Sequence, residues 1–118
     1  DNASLLLKFN DGSNAIVNYF SNGSKSYSKE RLEVYFGSKN LIVDNFIKTE
    51  GFGFKKFKTI KTKLDKGHIT QFSKYIQNIK SGGEKLISFK EIVNVTRSSI
   101  SALDSLKNKR WENVSLKI

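Results

Sequence analysis

Proton transfer is the one type of enzymatic chemistry for which the sequence offers a candidate residue. His68 is the single histidine of the chain, and Asp65 precedes it by three residues at the predicted start of a helix. Because an imidazole changes its charge near neutral pH, this histidine suits the role of a general acid or base. The alternative needs fewer assumptions: His68 makes only a capping or surface contact at the first turn of the helix.

Nucleophilic, metal-dependent and carboxylate-pair chemistry lack the residues that they need. The sequence contains no cysteine, which excludes a disulfide scaffold, a thiolate metal site and a cysteine nucleophile. A single histidine also excludes a metal site with several histidine ligands. Glu30 and Glu33 lie on a predicted strand, where their side chains project in different directions and form no hydrolase pair.

A glycine-rich segment at residues 51–54 matches half of the dinucleotide-binding fingerprint. Its sequence is Gly-Phe-Gly-Phe, and both the third glycine and the following helix that the motif requires are missing. No phosphate-binding loop of the nucleotide-hydrolase type is present either. We therefore interpret the segment as a turn, and no residue of the chain is predicted to bind a cofactor.

Residues 52–63 combine aromatic rings with lysines in a pattern that two structures explain. A protein that binds single-stranded nucleic acid needs rings that stack on bases and ammonium groups that follow the backbone. The same residues also fit a strand with two different faces. Phe54, Phe57 and Ile60 cannot share one face at a strict period of two, so this second interpretation requires a bulge or a turn. We favour the strand.

A net charge of +10 makes an anionic partner the first question about function. The chain has 21 basic and 11 acidic residues, but 18 of the basic residues are lysines and three are arginines. Proteins that recognise nucleic acid depend on arginine, whose planar guanidinium pairs bidentately with phosphate and guanine. The excess of lysine therefore favours a solvated basic surface, and we do not expect nucleic acid as a partner.

Length and composition indicate a single domain over residues 1–118 that is part of a longer protein. A chain of 118 residues, 37% of them hydrophobic, can bury roughly two thirds of its unfolded surface. It contains no methionine and begins at Asp1, so we expect an excised or processed piece. No apolar run approaches the ~20 residues of a membrane span, and no signal-like segment opens the chain. We therefore expect a cytoplasmic protein without membrane contact.

The first half of the sequence predicts a meander of short strands. Turn-forming residues divide it at 10–13, where Asp-Gly favours a hairpin, and again at 21–26 and 37–40. Within residues 31–36, charged and apolar residues alternate as far as Tyr35, which indicates a sheet with one wet face. The expected strands are residues 5–9, 15–20, 31–36, 41–43, 45–49 and 55–63.

The second half changes to the period of a helix. Apolar residues recur at helical spacing over residues 68–80, and Ser-Gly-Gly at 81–83 ends this first helix. Ser-Phe-Lys-Glu at 88–91 fits a capping box that opens a second helix, which should end near residues 107–110. A last short strand is expected at residues 111–118. The chain thus predicts an α+β fold: a largely antiparallel open sheet of five or six strands, followed by two helices packed on one face.

Four strings at these element boundaries carry a family likeness: Leu-Lys-Phe-Asn-Asp-Gly-Ser at 7–13, Lys-Glu-Arg-Leu-Glu-Val at 29–34, Asp-Lys-Gly-His at 65–68 and Ser-Phe-Lys-Glu at 88–91. Together with the order of elements, they resemble the C-terminal domain of the Gfo/Idh/MocA family of NAD(P)-dependent sugar oxidoreductases. The likeness spans nearly the whole chain. It is greatest to the branch in which this unit follows a zinc-type alcohol dehydrogenase module.

The resemblance implies a bacterial cytoplasmic dehydrogenase of which this chain is the C-terminal domain. The open sheet would shape the pocket for a sugar or sugar nucleotide and form a homo-oligomer contact. NAD or NADP would bind to an N-terminal Rossmann domain, so the chain alone would be inactive and hold no cofactor. His68 matches a family position beside the active-site cleft, which makes it the implied substrate-facing residue.

Several family features have no counterpart in the chain. The catalytic lysine of the Glu-Lys-Pro motif and the acid–base Asp and His match no residue, and residues 84–87 lack the proline usual between the two helices. Two other functions therefore stay open: a basic module for single-stranded nucleic acid, and a domain that binds another protein through an exposed sheet face.

Overall fold

The computed structural model of the chain describes residues 2–114, which form the α+β fold that the sequence predicts. Within these residues there are six strands: Asn2–Lys8 (β1), Asn14–Phe20 (β2), Arg31–Phe36 (β3), Lys39–Asp44 (β4), Lys48–Phe52 (β5) and Thr59–Lys61 (β6). The two helices are His68–Ser81 (α1) and Phe89–Asn108 (α2). Neither helix of this part combines the length and the apolar composition that crossing a membrane requires.

The strands form two antiparallel sheets, where the sequence predicts a single one. β1 pairs with β2, and the other four strands pair in the order β3-β4-β5-β6. Turns of two to six residues join the paired strands, whereas ten residues separate β2 from β3. A tight turn forces its two strands to pair, but a connection of that length does not. This difference explains why the predicted sheet is divided at the loop after Phe20.

The chain divides into two compact units. The sheet unit comprises Phe20–Gln71 with Asn2 and contains β3 to β6; the helical unit comprises Ala3–Tyr19 and the chain from Phe72 onwards. The expectations of one domain over residues 1–118, and of helices packed on one face of the sheet, stay predictions.

Residues 9–13 turn β1 back into β2, as the Asp-Gly pair predicts. Gly12 has a φ of +88°, a left-handed conformation that glycine adopts without steric cost. The Asp11 carboxylate accepts hydrogen bonds from the hydroxyl and the amide of Ser13, at 2.7 and 2.9 Å. These two bonds lower the pKa of the Asp11 carboxyl, and the bond from the hydroxyl has the larger effect. The turn is therefore held by a side chain as well as by backbone geometry.

The register of the sheet unit gives its strands one mostly apolar and one mostly polar face, as the alternation within residues 31–36 predicts. That only one of the two faces is solvated stays a prediction, since β3 is exposed along its whole length. Leu32 stands opposite Val43, and Val43 stands opposite Thr49 on the next strand. Because successive side chains alternate between faces, the remaining residues can be assigned. The apolar face carries Leu32, Val34, Phe36, Lys39, Leu41, Val43, Thr49, Gly51 and Ile60; the polar face carries Arg31, Glu33, Tyr35, Asn40, Ile42, Asp44, Lys48, Glu50, Phe52, Thr59 and Lys61.

Two turns of the sheet unit hold larger residues in the left-handed region. Gly37 and Ser38 join β3 to β4 with φ values of +49° and +60°, and Asn45 and Phe46 follow β4 with +48° and +56°. Positive φ at both central residues is typical of the type I′ turn, whose twist matches that of hairpin strands. The second turn corrects the strand predicted at residues 45–49, since β5 begins only at Lys48.

Two other predicted strands also differ from the structure. Of residues 55–63 only Thr59–Lys61 is a strand, because residues 53–57 bend so that two phenylalanine rings cover Gly51. This bend is the turn that the strand interpretation required. Residues 111–114 form no strand, since Ser105 and Asn108 bind Arg110 and Glu112 back to the end of α2. Residues 115–118 of that prediction lie outside the described residues.

Helix α1 has nearly its predicted bounds. At its start the Gln71 amide donates to the Gly67 carbonyl at 2.8 Å. At its end Gly82 has a φ of +68°, and the Gly83 amide donates to the Asn78 carbonyl at 3.1 Å. This six-to-one bond across a left-handed glycine is a Schellman cap, which confirms the stop predicted from Ser-Gly-Gly.

Helix α2 begins with the predicted capping box. The Glu91 amide donates to the Ser88 hydroxyl oxygen at 3.2 Å, while the Ser88 amide donates to the Glu91 carboxylate at 3.0 Å. The Ser88 hydroxyl also donates to that carboxylate at 2.8 Å. Both bonds from Ser88 lower the pKa of the Glu91 carboxyl, and the bond from the hydroxyl has the larger effect. The helix ends at Lys109, whose φ is +54°.

No side chain among residues 2–114 is fully buried. The accessible surface of the chain is 10895 Å², whereas monomeric proteins of its 13.4 kDa expose about 6500 Å². The apolar stripes that predict the helices stay open: Ile69 of α1 is 84% exposed and Leu106 of α2 is 76% exposed.

Loss of the capping box should destabilise the chain in a pH-dependent way. Ser88→Ala removes the cap and should lower the free energy of unfolding by about 1 kcal/mol. The folded pKa of Glu91 lies below its ordinary value of 4.5, so the ionic part of the box is present above that pH and is lost as the pH falls through the folded pKa. Glu91→Gln should accordingly destabilise at about pH 7 and converge with wild type at about pH 3, as measured by urea unfolding.

The matched control is Glu84→Gln, since the Glu84 side chain accepts no hydrogen bond from a described residue. It should leave the pH dependence unchanged. A Glu91→Gln deficit as large at acid pH as at neutral pH would contradict the capping role.

Replacing Phe46 by glycine should stabilise the sheet unit. A left-handed conformation costs a non-glycine residue about 1–2 kcal/mol, from which the greater chain entropy of unfolded glycine subtracts about 0.5–1 kcal/mol. Phe46→Gly should therefore raise the urea midpoint slightly. The control is Ile47→Gly: the φ of Ile47 is not positive, so this substitution should lower the urea midpoint. A lower urea midpoint for both variants would show that Phe46 is not strained.

Candidate functional site

His68 is the first residue of α1, and its side chain is exposed. The predicted carboxylate partner is engaged elsewhere, because Asp65 accepts a hydrogen bond from the Gly67 amide at 2.7 Å. That bond closes the turn into the helix. Residues 2–114 supply no hydrogen-bond partner for the imidazole. The structure thus does not join His68 and Asp65 as an acid–base pair, and His68 remains a candidate through its position.

The segment leading to His68 is tied to one end of the sheet. The Thr62 amide donates to the Ile47 carbonyl at 2.9 Å, and the Thr62 hydroxyl donates to the Phe46 carbonyl at 3.1 Å. Lys66 forms an ion pair of 3.5 Å with Glu30, just before β3. The exposed ion pair contributes little stability, but the two backbone contacts fix the approach to α1 beside the Asn45–Phe46 turn.

Three polar-face residues of β3 form a hydrogen-bonded row. The Arg31 guanidinium lies 2.7 Å from one oxygen of the Glu33 carboxylate, and the Tyr35 hydroxyl donates to the other oxygen at 2.5 Å. The bond from Tyr35, followed by that from Arg31, lowers the pKa of Glu33; the same bond to Glu33 raises the pKa of Tyr35. Both carboxylate oxygens are occupied, so Glu33 is a fixed charge. Glu30 has a different partner, and the two glutamates form no catalytic pair.

Beyond one end of the apolar face, aromatic rings pack against each other. The Phe54 centroid lies 6.2 Å from that of Phe36 and 5.7 Å from that of Phe57, both in edge-to-face geometry. Lys39 Nζ lies 5.6 Å from the Phe54 centroid. A Cβ at Gly51 would stand 2.5 Å from Cε1 of Phe57, so this glycine makes room for the rings. The turn predicted at residues 51–54 is thus confirmed only from Gly53 onwards, because Gly51 and Phe52 belong to β5.

Five lysines on or near β6 form the lysine edge: Lys55, Lys56, Lys58, Lys61 and Lys63. All five are exposed, and none takes part in an ion pair with a described residue. Lys61 stands directly opposite Lys48. Lys48 is paired with Glu50 at 2.8 Å, which offsets the repulsion between the two like charges.

The helical unit contains an open cleft of about 510 Å³, within the usual range for small-ligand sites. It lies between β1 and the end of α2, and its lining includes Leu5, Leu7, Ser98, Ser101, Ser105 and Trp111. The Ser98 and Ser105 hydroxyls donate to backbone carbonyls of their own helix region. The cleft thus offers apolar contact without a nucleophile–base pair.

Two of these arrangements escape the sequence predictions for different reasons. The row of Arg31, Glu33 and Tyr35 follows from the period of two within one strand, and that signal was available. The cleft joins residues about ninety positions apart, for which the only local sign is serine recurring at helical spacing on α2.

Within the described part of the chain, no three histidine, aspartate or glutamate side chains lie close enough to hold a metal ion. When the chain is compared with protein-family models, with curated proteins and with solved structures, none of the three comparisons gives a match.

Proposed function

We propose that the chain is the C-terminal domain of a Gfo/Idh/MocA-type NAD(P)-dependent oxidoreductase acting on a sugar or sugar nucleotide. In this role it forms a wall of the substrate pocket and contacts the cofactor-binding Rossmann domain of the same polypeptide. NAD or NADP is held by that other domain. The chain alone carries no complete catalytic site.

The positions of the family-like strings support this proposal. Residues 10–13 form the first hairpin turn, residues 65–68 lead into α1, and residues 88–91 form the capping box of α2. Each of these three strings stands where it directs the chain between two elements, whereas residues 29–34 lie mostly within β3. The likeness is therefore one of architecture, carried by residues that have a structural reason to be there.

The exposure of apolar side chains is the single observation that carries the proposal. A sheet face with Leu32 57% exposed and Ile60 51% exposed, and helices with apolar stripes still more open, are surfaces of the kind that mark contact with other protein surface. A domain that packs against another domain of the same polypeptide has exposed apolar surfaces of this kind. An enzyme with a complete site within this chain would need a buried core to hold its catalytic groups.

His68 is the residue that we assign to the substrate. Its exposed imidazole stands where α1 begins, and the contacts of Thr62 tie the segment before it to the sheet. A neutral imidazole can donate one hydrogen bond and accept another, which suits the hydroxyl groups of a sugar. Since Asp65 is bound to Gly67, we assign His68 to binding rather than to proton transfer.

The isolated 118-residue chain should bind neither NAD⁺ nor NADP⁺ at up to about 1 mM, because the pyrophosphate is held by a glycine-rich turn that the proposal places in the Rossmann domain. The longer polypeptide, with the upstream reading frame included, should bind one of the two. Isothermal titration calorimetry on both proteins provides the measurement. Micromolar binding to the isolated chain would contradict the assignment.

In the longer polypeptide, His68→Gln should leave cofactor affinity unchanged and raise the KM for the sugar about tenfold, the equivalent of one hydrogen bond of ~1.4 kcal/mol. Thr70→Ala, an exposed position on the same helix, is the control. Wild-type kinetics for His68→Gln would remove His68 from the site without affecting the domain assignment.

Binding of single-stranded nucleic acid is a second candidate, favoured by the five unpaired lysines of the lysine edge. The arrangement of the phenylalanine rings argues against nucleic-acid binding. Phe54 and Phe57 are half-buried against each other, whereas stacking on bases requires open rings.

We expect no sub-micromolar binding of a 20-nucleotide single strand at about 50 mM salt by fluorescence anisotropy. If the lysine edge did bind one, five neutralised phosphates would give a slope of about −3.5 in log K against log salt. Replacing Lys55, Lys56 and Lys58 by glutamine would then flatten the slope, and replacing Lys74, Lys80 and Lys85 would not. That outcome would establish nucleic-acid binding in place of the first proposal.

A further inference from the structure

The outer edge of β3 carries unpaired backbone groups. The Asn45 amide donates to the Glu30 carbonyl at 2.7 Å, in the same register that sets Arg31 opposite Asp44. Because hydrogen bonding alternates along an antiparallel strand, the even-numbered residues bond to β4. The amides and carbonyls of Arg31, Glu33 and Tyr35 therefore point outwards, and among the described residues no strand of this sheet lies beyond β3.

The two edges of the sheet differ in how they are protected. The opposite edge, β6, has three residues and bears the lysine edge; short length and lysines are devices that prevent strand addition. β3 has six residues, all exposed. Its charges are compensated within the strand by the Arg31–Glu33 pair. Only the β3 edge is thus open to pairing.

We propose that this edge pairs antiparallel with the β3 edge of a second copy of the chain, about a twofold axis at Val34. Val34 then stands opposite the partner's Val34, Leu32 opposite the partner's Phe36, and Glu33 opposite the partner's Tyr35. Two four-stranded sheets become one sheet of eight strands. This inference does not depend on the oxidoreductase proposal, and it concerns the strand edge rather than the sheet face.

The chemistry of the strand selects this register over its neighbours. An axis at Glu33 would set two carboxylates opposite each other, which destabilises a pair of strands. An axis at Leu32 would overlap only residues 31–33 of the two strands, and an axis at Tyr35 only residues 34–36. With the axis at Val34, residues 32–36 overlap, the apolar faces of both copies are continuous, and each Tyr35 lies beside a Glu33 of the other copy. A strand edge that complements itself in this way fits a second copy.

Cysteine cross-linking tests the register, since the chain has no cysteine of its own. Directly opposed residues of a non-hydrogen-bonded pair have Cα atoms about 4.5 Å apart, within disulfide range. Val34→Cys should therefore form a disulfide-linked dimer under mild oxidation. Leu32→Cys and Ile60→Cys lie on the same face and are more exposed in wild type, yet they should form little disulfide-linked dimer. Equal or greater cross-linking at Leu32 would overturn the proposed register.

Proline substitution tests the edge itself. Tyr35→Pro removes an outward-pointing amide without breaking the β3–β4 ladder, and proline is tolerated at such positions. By sedimentation equilibrium at about 100 µM, wild type should be dimeric, and Tyr35→Pro should raise the dimer dissociation constant at least tenfold with an unchanged circular dichroism spectrum. Thr59→Pro makes the matching change at the β6 edge and should leave the dimer intact. A monomeric wild type, or a dimer indifferent to Tyr35→Pro, would overturn the proposal.

Discussion

The pairing register of β3 and β4 is the constraint on which the sheet unit depends. With Arg31 opposite Asp44, most charged side chains share one face and most apolar ones the other; a slip of one residue would exchange them. The Gly37–Ser38 turn fixes that register from one end. The same alternation decides which backbone groups of β3 face outwards.

The sequence predicts well those features that depend on residues within about four positions of each other. Ser88 and Glu91, or Gly82 after α1, meet their partners inside a single helical turn, so composition and spacing suffice. The Asn45–Phe46 turn is different. Phenylalanine has no local preference for positive φ, and the strand boundary shifts because tertiary pairing outweighs propensity. The division into two sheets likewise depends on a ten-residue loop without any pairing signal.

The candidate site follows the same rule. Residue type alone singles out His68, but nothing in the spacing of Asp65 and His68 predicts that the carboxylate binds the Gly67 amide. The Arg31–Glu33–Tyr35 row lies on one strand and could be predicted from its period. The cleft near Trp111 could not, since it brings β1 to the end of α2. Chemistry confined to one element is visible in sequence, whereas chemistry shared between distant elements is not.

The apolar face and the lysine edge of the sheet unit suit different kinds of contact. The apolar face bears one cation, Lys39, and that ammonium lies over the Phe54 ring, so a surface covering this face meets almost no unsolvated charge. The five lysines of the lysine edge lie instead around β6, where covering protein would have to desolvate several like charges at high cost. The apolar face and the β3 edge therefore suit protein contact better than the lysine edge does. The net charge of +10 says little about function until it is separated into these surfaces.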